Sequence, residues 1–80
     1  HIVFSVGASD AAYLKTMPIH PSQQIVRETS QRTAFSLDVY LTPDVVMELL
    51  SRAQTLRIEE PEYLRAQILK IYETGLHLNS

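Results

Sequence analysis

The sequence predicts a single α+β domain built from four strands and three helices. Its 80 residues are 45% hydrophobic and 20% charged, which is an ordinary composition for one globular domain. Segments with the two-residue period of strands alternate with segments that have the spacing of amphipathic helices. The chain has no internal repeat and no low-complexity tract, so these segments belong to one folded unit.

The first two predicted elements are a strand and a short helix. Large apolar side chains alternate with smaller ones along Ile2–Val6, and Gly7 ends this strand pattern. Ser9 is the expected N-cap of a helix that continues through Ala11–Met17. Pro18 ends that helix because proline disfavours helical geometry at the residue before it.

A hairpin is predicted next. The turn-like segment Pro18–Ser22 leads to extended segments at Ile25–Thr29 and Thr33–Leu41, joined through Ser30 and Gln31. The second of these strands alternates in the way a half-buried strand does. Its apolar face is formed by Phe35, Leu37, Val39 and Leu41, and its other face by Ser36, Asp38 and Tyr40.

The segment Thr42–Asp44 predicts the start of an amphipathic helix. It supplies a capping hydroxyl, a proline at the first helical position and an acidic residue near the positive end of the helix dipole. We expect this helix to reach Ala53, with Glu48 paired to Arg52 on its solvent side. Its apolar stripe consists of Val45, Val46, Leu49, Leu50 and Ala53.

The last two predicted elements are a short strand and a helix. The strand covers Leu56–Ile58, and Pro61 starts the helix. Gly75 is expected to end it in the left-handed conformation common after helix C-termini. The expected inner face of this helix carries Leu64, Ile68, Ile71 and Tyr72.

The predicted order is therefore βαββαβα, and its first six elements match the ferredoxin-like βαββαβ arrangement. Right-handed crossovers place both internal helices on one face of the sheet. The other face is then left to solvent, to the last helix or to a partner.

Composition argues against several classes of function. Seven Lys and Arg are scattered among nine Asp and Glu, for a net charge of −2, which disfavours direct nucleic-acid binding. The chain has no cysteine, which excludes disulfides and suits a reducing cytoplasm. It also has no apolar stretch approaching the roughly 20 residues that span a bilayer, so we expect a soluble cytoplasmic domain without a membrane partner.

No motif predicts catalysis, a metal site or a cofactor. His1, His20 and His77 lie in different elements without ligand-like spacing, and His20 is better explained by bonds to local backbone. Ser22 lacks the nucleophile elbow and oxyanion hole of a hydrolase. The acidic residues Glu59, Glu60 and Glu62 are most simply charges around a helix start.

RNA binding through the sheet is also disfavoured. The RNA-recognition motif stacks bases on aromatic side chains that share one face of the sheet. Phe35 and Tyr40 are separated by an odd number of residues and so point to opposite faces. The strand that carries them also lacks the basic and glycine residues of that motif.

The segment Tyr13–Gln23 resembles part of the WCX domain, the C-terminal extension that follows the WYL domain in bacterial transcriptional regulators. The residues that carry the likeness are Pro18, His20, Pro21, Ser22 and Gln23. Further matches to the pattern, in the expected order, are Phe4, Phe35–Leu41, Leu49–Leu50, Glu60–Pro61 and Leu64. The sequence departs from the pattern at the hairpin turn, which lacks an acidic-glycine step, and at Ala53–Gln54, where many relatives have glycine.

The resemblance implies a regulatory domain rather than an enzyme. Residues 1–80 would form one WCX-like domain from the C-terminal end of a longer regulator, an expectation that the start at His1 without an initiator Met also favours. A separate N-terminal domain would contact DNA, and a WYL domain of the same or a partner chain would contact this one. Contributions to homodimer assembly and to the effector response are the implied roles.

We therefore expect the domain to dock through the open face of its sheet or through its last helix. Candidate contacts on that face are Ser36, Asp38 and Tyr40, and Arg27 and Arg57 are candidates to face an anionic effector or a partner carboxylate. The alternative is a ferredoxin-like module that binds a small molecule at a dimer edge. An enzyme that uses His20 or Ser22 is the third hypothesis.

Overall fold

The computed structural model describes all residues, His1–Ser80, and confirms the α+β class and the predicted order of elements. None of the helices combines the length and the apolar character needed to cross a membrane. The strands are β1 (Ile2–Gly7), β2 (Gln24–Glu28), β3 (Arg32–Leu37) and β4 (Arg57–Glu60), and the helices are α1 (Ala8–Thr16), α2 (Pro43–Leu50) and α3 (Glu62–Leu78).

The four strands form one antiparallel sheet in the order β2-β3-β1-β4. Strand β1 lies in the middle, where Phe4 is paired with Phe35 on one side and with Ile58 on the other. The register is irregular in both edge strands, between Ile25 and Arg27 in β2 and where β4 pairs with β1 near Phe4. This strand order is compatible with a ferredoxin-like arrangement.

One face of the sheet carries the hydrophobic core. The rings of Phe4 and Phe35 stack at its centre, with their centroids 5.6 Å apart. All three helices contribute to the same buried cluster, so they form a single layer on this face. The cluster consists of Ile2, Phe4, Val6, Phe35, Leu37 and Ile58 from the strands and Ala11, Leu14, Val46, Leu49, Leu64 and Ile68 from the helices.

The opposite face has no helix against it, and we call it the open face. Its central residues are short, and they follow from the alternation of β1 and β3: Val3 pairs with Ser36, and Ser5 pairs with Ala34. Of the three occupants that the sequence leaves possible for this face, the last helix is ruled out because α3 packs on the core side.

Helix α1 begins earlier than predicted, at Ala8, and Ser9 is not its N-cap. Gly7 occupies the cap position in an extended conformation and makes no side-chain cap bond. A Cβ atom at Gly7 would lie 3.1 Å from Cγ2 of Thr55. The chain thus passes directly from strand to helix at a residue whose missing side chain makes room for the Thr55 side chain.

Strand β3 ends at Leu37, four residues short of the predicted end at Leu41. Both neighbouring strands end at this point, because Ile2 at the start of β1 pairs with Leu37 and Gln24 at the start of β2 pairs with Ser36. Val39 and Leu41 nevertheless pack against the core from the connecting segment. The alternation of Thr33–Leu41 therefore correctly predicts which side chains are buried, but the predicted strand pairing beyond Leu37 is wrong.

Helix α2 starts as predicted and ends sooner. The side chain of Thr42 accepts a hydrogen bond from the Val45 backbone N–H at 3.3 Å, which confirms the predicted cap. The helix ends at Leu50 and continues as turns instead of reaching Ala53, which is exposed. On the apolar stripe, Val46 and Leu49 are fully buried.

Helix α3 continues through Gly75 to Leu78, so the predicted helix end at Gly75 is wrong. Gly75 has no positive φ, and nothing lies within 4 Å of the place where its Cβ would be. Of the expected inner face, Leu64 and Ile68 are buried and Tyr72 is half-buried, but Ile71 is 38% exposed.

Replacing Gly75 by alanine should stabilise the domain. Gly75→Ala removes backbone freedom from the unfolded chain and meets no atom in the helix, so the free energy of unfolding should rise by about 0.5–1 kcal/mol. Urea unfolding followed by circular dichroism measures this. Gly7→Ala is the matched control and should destabilise, because its new methyl group meets Thr55. A loss of stability in Gly75→Ala would contradict a helical Gly75.

Candidate binding surface

The structure divides the predicted contact residues between two places. Arg27, Ser36 and Arg57 lie on the open face, as their pairing with Ala34, Val3 and Ser5 requires. Asp38 and Tyr40 follow the end of β3 and have no partner in a neighbouring strand. They line a separate groove beside α2, where the Tyr40 side chain is 92% exposed.

A row of paired residues crosses the sheet on the open face. It begins at Arg27 in β2, continues through Ala34 in β3 and Ser5 in β1, and ends at Arg57 in β4. The two short residues in the middle form the floor of a depression of about 180 Å³. We call it the arginine trough, and it is lined by Ser5, Arg27, Thr29, Arg32, Ala34, Arg57 and Glu59.

Hydrogen bonds to neutral oxygens orient Arg32 in this trough. Its Nη2 donates hydrogen bonds to the backbone O and the Oγ of Ser5, both at 3.1 Å, and to the backbone O of Thr55. Its Nε donates to Ser5 Oγ at 3.3 Å. Arg32 pairs with Gly7 of β1, and the Thr55 side chain lies next to Gly7. All of these acceptors are neutral, so the charge of this half-buried guanidinium has no carboxylate partner.

The other charges of the trough only partly compensate one another. Arg27 forms an ion pair with Glu59 across the sheet, and the side chains are 57% and 26% exposed. Neither Arg32 nor Arg57 forms an ion pair. Three guanidinium groups and one carboxylate leave an excess of two positive charges, although the chain as a whole is acidic.

Sequence reasoning missed two of these residues. Arg32 stands two residues before Ala34 and therefore shares its face of β3, a signal that the predicted strand start at Thr33 concealed. Glu59 was interpreted with Glu60 and Glu62 as a charge around a helix start. Only Glu62 lies in the first turn of α3, whereas Glu59 belongs to β4 and binds Arg27.

The His20–Gln23 segment has a structural role that agrees with the predicted local bonding of His20. The Ser22 backbone N–H donates to His20 Nδ1 at 3.0 Å, and Ser22 Oγ lies 2.8 Å from the same nitrogen. Ser22 Oγ also accepts a hydrogen bond from the Asp38 backbone N–H at 2.9 Å. These bonds fasten the segment to the end of β3.

Gln23 joins the same segment to helix α1. Its Oε1 accepts a hydrogen bond from the Ile19 backbone N–H at 3.0 Å, and its Nε2 donates to the Leu14 backbone O at 3.0 Å. Both bonds are partly buried. The amide thus satisfies a donor and an acceptor at once, which no carboxylate can do.

Two of the three histidines line the same groove, although they lie in different elements. His1 and His20 both line a groove of about 600 Å³, where His1 Nδ1 lies 2.8 Å from Asp38 Oδ1. His77 lies in the last turn of α3 and takes no part. No group of three or more His, Asp or Glu side chains is arranged to hold a metal ion.

The predicted pair of Glu48 and Arg52 is replaced by contacts to helix α1. Arg52 Nη1 lies 3.2 Å from Asp10 Oδ1, and its guanidinium carbon lies 4.2 Å from the centre of the Tyr13 ring. The Thr55 hydroxyl donates to the other oxygen of Asp10. Because α2 ends before Arg52, the side chain leaves the helix axis and reaches α1.

The Gln23 contacts give a test of this framework. Gln23→Glu should lower the free energy of unfolding by about 1–3 kcal/mol, because the new carboxylate cannot donate to the Leu14 carbonyl. Denaturant unfolding measures the change. Gln24→Glu, with the same chemistry on an exposed neighbouring side chain, should change stability by less than about 0.5 kcal/mol. Equal effects of the two substitutions would show that the Gln23 bonds contribute nothing.

The chain matches no protein-family model, no curated protein and no solved structure. The likeness of the His20–Gln23 segment to the extension of WYL regulators therefore remains a resemblance of sequence.

Proposed function

We propose that this chain is a non-catalytic regulatory and assembly domain of a WYL-type bacterial transcriptional regulator, acting in the cytoplasm. It is the WCX-like C-terminal part of a longer chain whose separate N-terminal domain contacts DNA. Its sheet is ferredoxin-like, and it contributes to homodimer assembly and to the effector response. The order of elements and the residues from Pro18 to Gln23 support this family proposal.

The single observation that carries the proposal is that no helix packs on the open face of the sheet. A sheet with helices on only one face leaves its other face available to a partner. Here the centre of that face consists of the short residues Ser5 and Ala34. Both residues are themselves buried, so another module would contact the arginine side chains around them. Arginines line this surface, and arginine is enriched at protein interfaces because its planar fork binds carboxylates in a bidentate manner.

The partner in this proposal is the WYL domain of the same chain or of the dimer mate. It docks on the open face and presents carboxylates to Arg27 and Arg57, since complementary charge favours the correct partner and orientation. Regulation follows if an effector binds one arrangement of the domains more tightly than another, because only differential affinity can shift such an equilibrium.

A second candidate function is sensing of a small molecule at a dimer edge. The observation that favours it is the uncompensated charge of Arg32 and Arg57 in the trough. The two functions are compatible when the effector lies at the docked surface, and they differ in whether the chain alone binds a ligand.

Charge reversal on the open face tests the docking proposal. Arg57→Glu should weaken binding of this chain to the WYL domain of the same regulator roughly tenfold or more, measured by titration calorimetry. Lys70→Glu is the control, since Lys70 is also exposed but lies on α3 in the helical layer. Neither side chain forms an ion pair, so neither change should unfold the domain. Equal binding by both variants, or a parent gene that encodes no WYL domain, would contradict the proposal.

A further inference from the structure

We infer that the arginine trough binds a small molecule carrying a doubly charged oxyanion group, such as a phosphate monoester or a dicarboxylate. The inference deepens the proposed function by naming the chemical class of the effector. Only the regulatory consequence of ligand binding rests on the proposed function. Binding itself does not, because the site lies wholly within this chain.

The first argument is the fixed position of Arg32. Its guanidinium is oriented by the oxygens of Ser5 and Thr55 before any ligand arrives, while Nη1 makes no hydrogen bond. A charge that is already oriented costs little further ordering when an anion binds. Partial burial also strengthens its attraction for an anion compared with a charge in bulk water.

The second argument is the charge balance. Arg27 and Arg57 approach the floor from opposite edges of the sheet, and Glu59 neutralises only Arg27. The excess of two positive charges is therefore matched by a dianion. Arginine suits such a ligand because its parallel N–H groups pair with two oxygens of a carboxylate or a phosphate.

The third argument concerns size and shape. The trough of about 180 Å³ is smaller than the roughly 300–1,000 Å³ pockets that take drug-sized ligands. None of its lining residues is aromatic, whereas single-stranded nucleic acids are held by stacking on aromatic side chains. A compact anion fits these features better than an extended polymer does.

Glu59 acts as a resident competitor in this site. Its carboxylate accepts a hydrogen bond from the Arg27 guanidinium. An oxyanion group of a ligand would bind Arg27 in the same place. Binding therefore requires Glu59 to be displaced or to share Arg27. Its removal should increase affinity, which is the reverse of what is expected for a residue that holds the ligand.

The test is a titration of the isotope-labelled 80-residue chain with inorganic phosphate and, separately, with succinate, followed by the backbone amide signals. Saturable shifts are expected at Ser5, Ala34 and Arg57 and should be absent with sodium chloride at equal ionic strength. Arg57→Gln should weaken phosphate binding roughly tenfold. Glu59→Gln should strengthen it several-fold, and Arg65→Gln on α3 should leave it unchanged.

Three results would overturn the inference. The first is the absence of saturable shifts in the trough with both anions. The second is an equal loss of phosphate binding in the Arg57→Gln and Arg65→Gln variants. The third is a clear preference for a single-stranded oligonucleotide or an acidic peptide over both small anions. A chain that binds the WYL domain but neither anion refutes this inference alone. A chain that binds phosphate but no WYL domain refutes the docking proposal alone.

Discussion

Strand β1 imposes the constraint on which the rest of the structure depends. It is hydrogen-bonded on both sides, so its side chains must serve two faces of the sheet at once. Phe4 and Val6 are completely buried on one face and anchor the three helices, while Ser5 and Gly7 on the other face are too small to hold a second layer. The asymmetry of the domain therefore follows from one six-residue strand.

Periodicity was sufficient to predict the class, the order of elements and most of the core, because burial follows local patterns. Phe35 and Leu37 are buried as their alternation predicts, and Thr42 caps α2 as its neighbours predict. The ends of elements were less predictable, since they depend on partners distant in sequence. Strand β3 stops where β1 and β2 stop, and α3 passes through Gly75 in helical conformation although glycine is common after helix ends.

The candidate site was predictable in part for the same reason. The sequence predicts Arg27 and Arg57 as contacts for an anionic effector or a partner carboxylate. Only the strand register shows that they lie at opposite ends of one row of paired residues across the sheet. Arg32 could not be distinguished from any surface arginine without the bonds that it makes to Ser5 and Thr55. Asp38 and Tyr40 lie beyond the end of β3, so the predicted alternation of a strand does not determine where their side chains are.

The irregular pairing of both edge strands has a consequence for how copies of this chain can associate. Growth of a sheet by addition of another molecule requires an uninterrupted edge with evenly spaced donors and acceptors. Bulges break that regularity in β2 and in the pairing of β4. Continuous polymerisation through backbone hydrogen bonds is therefore disfavoured at both edges of the sheet. Contacts between molecules are directed to surfaces made of side chains, where a finite assembly can close.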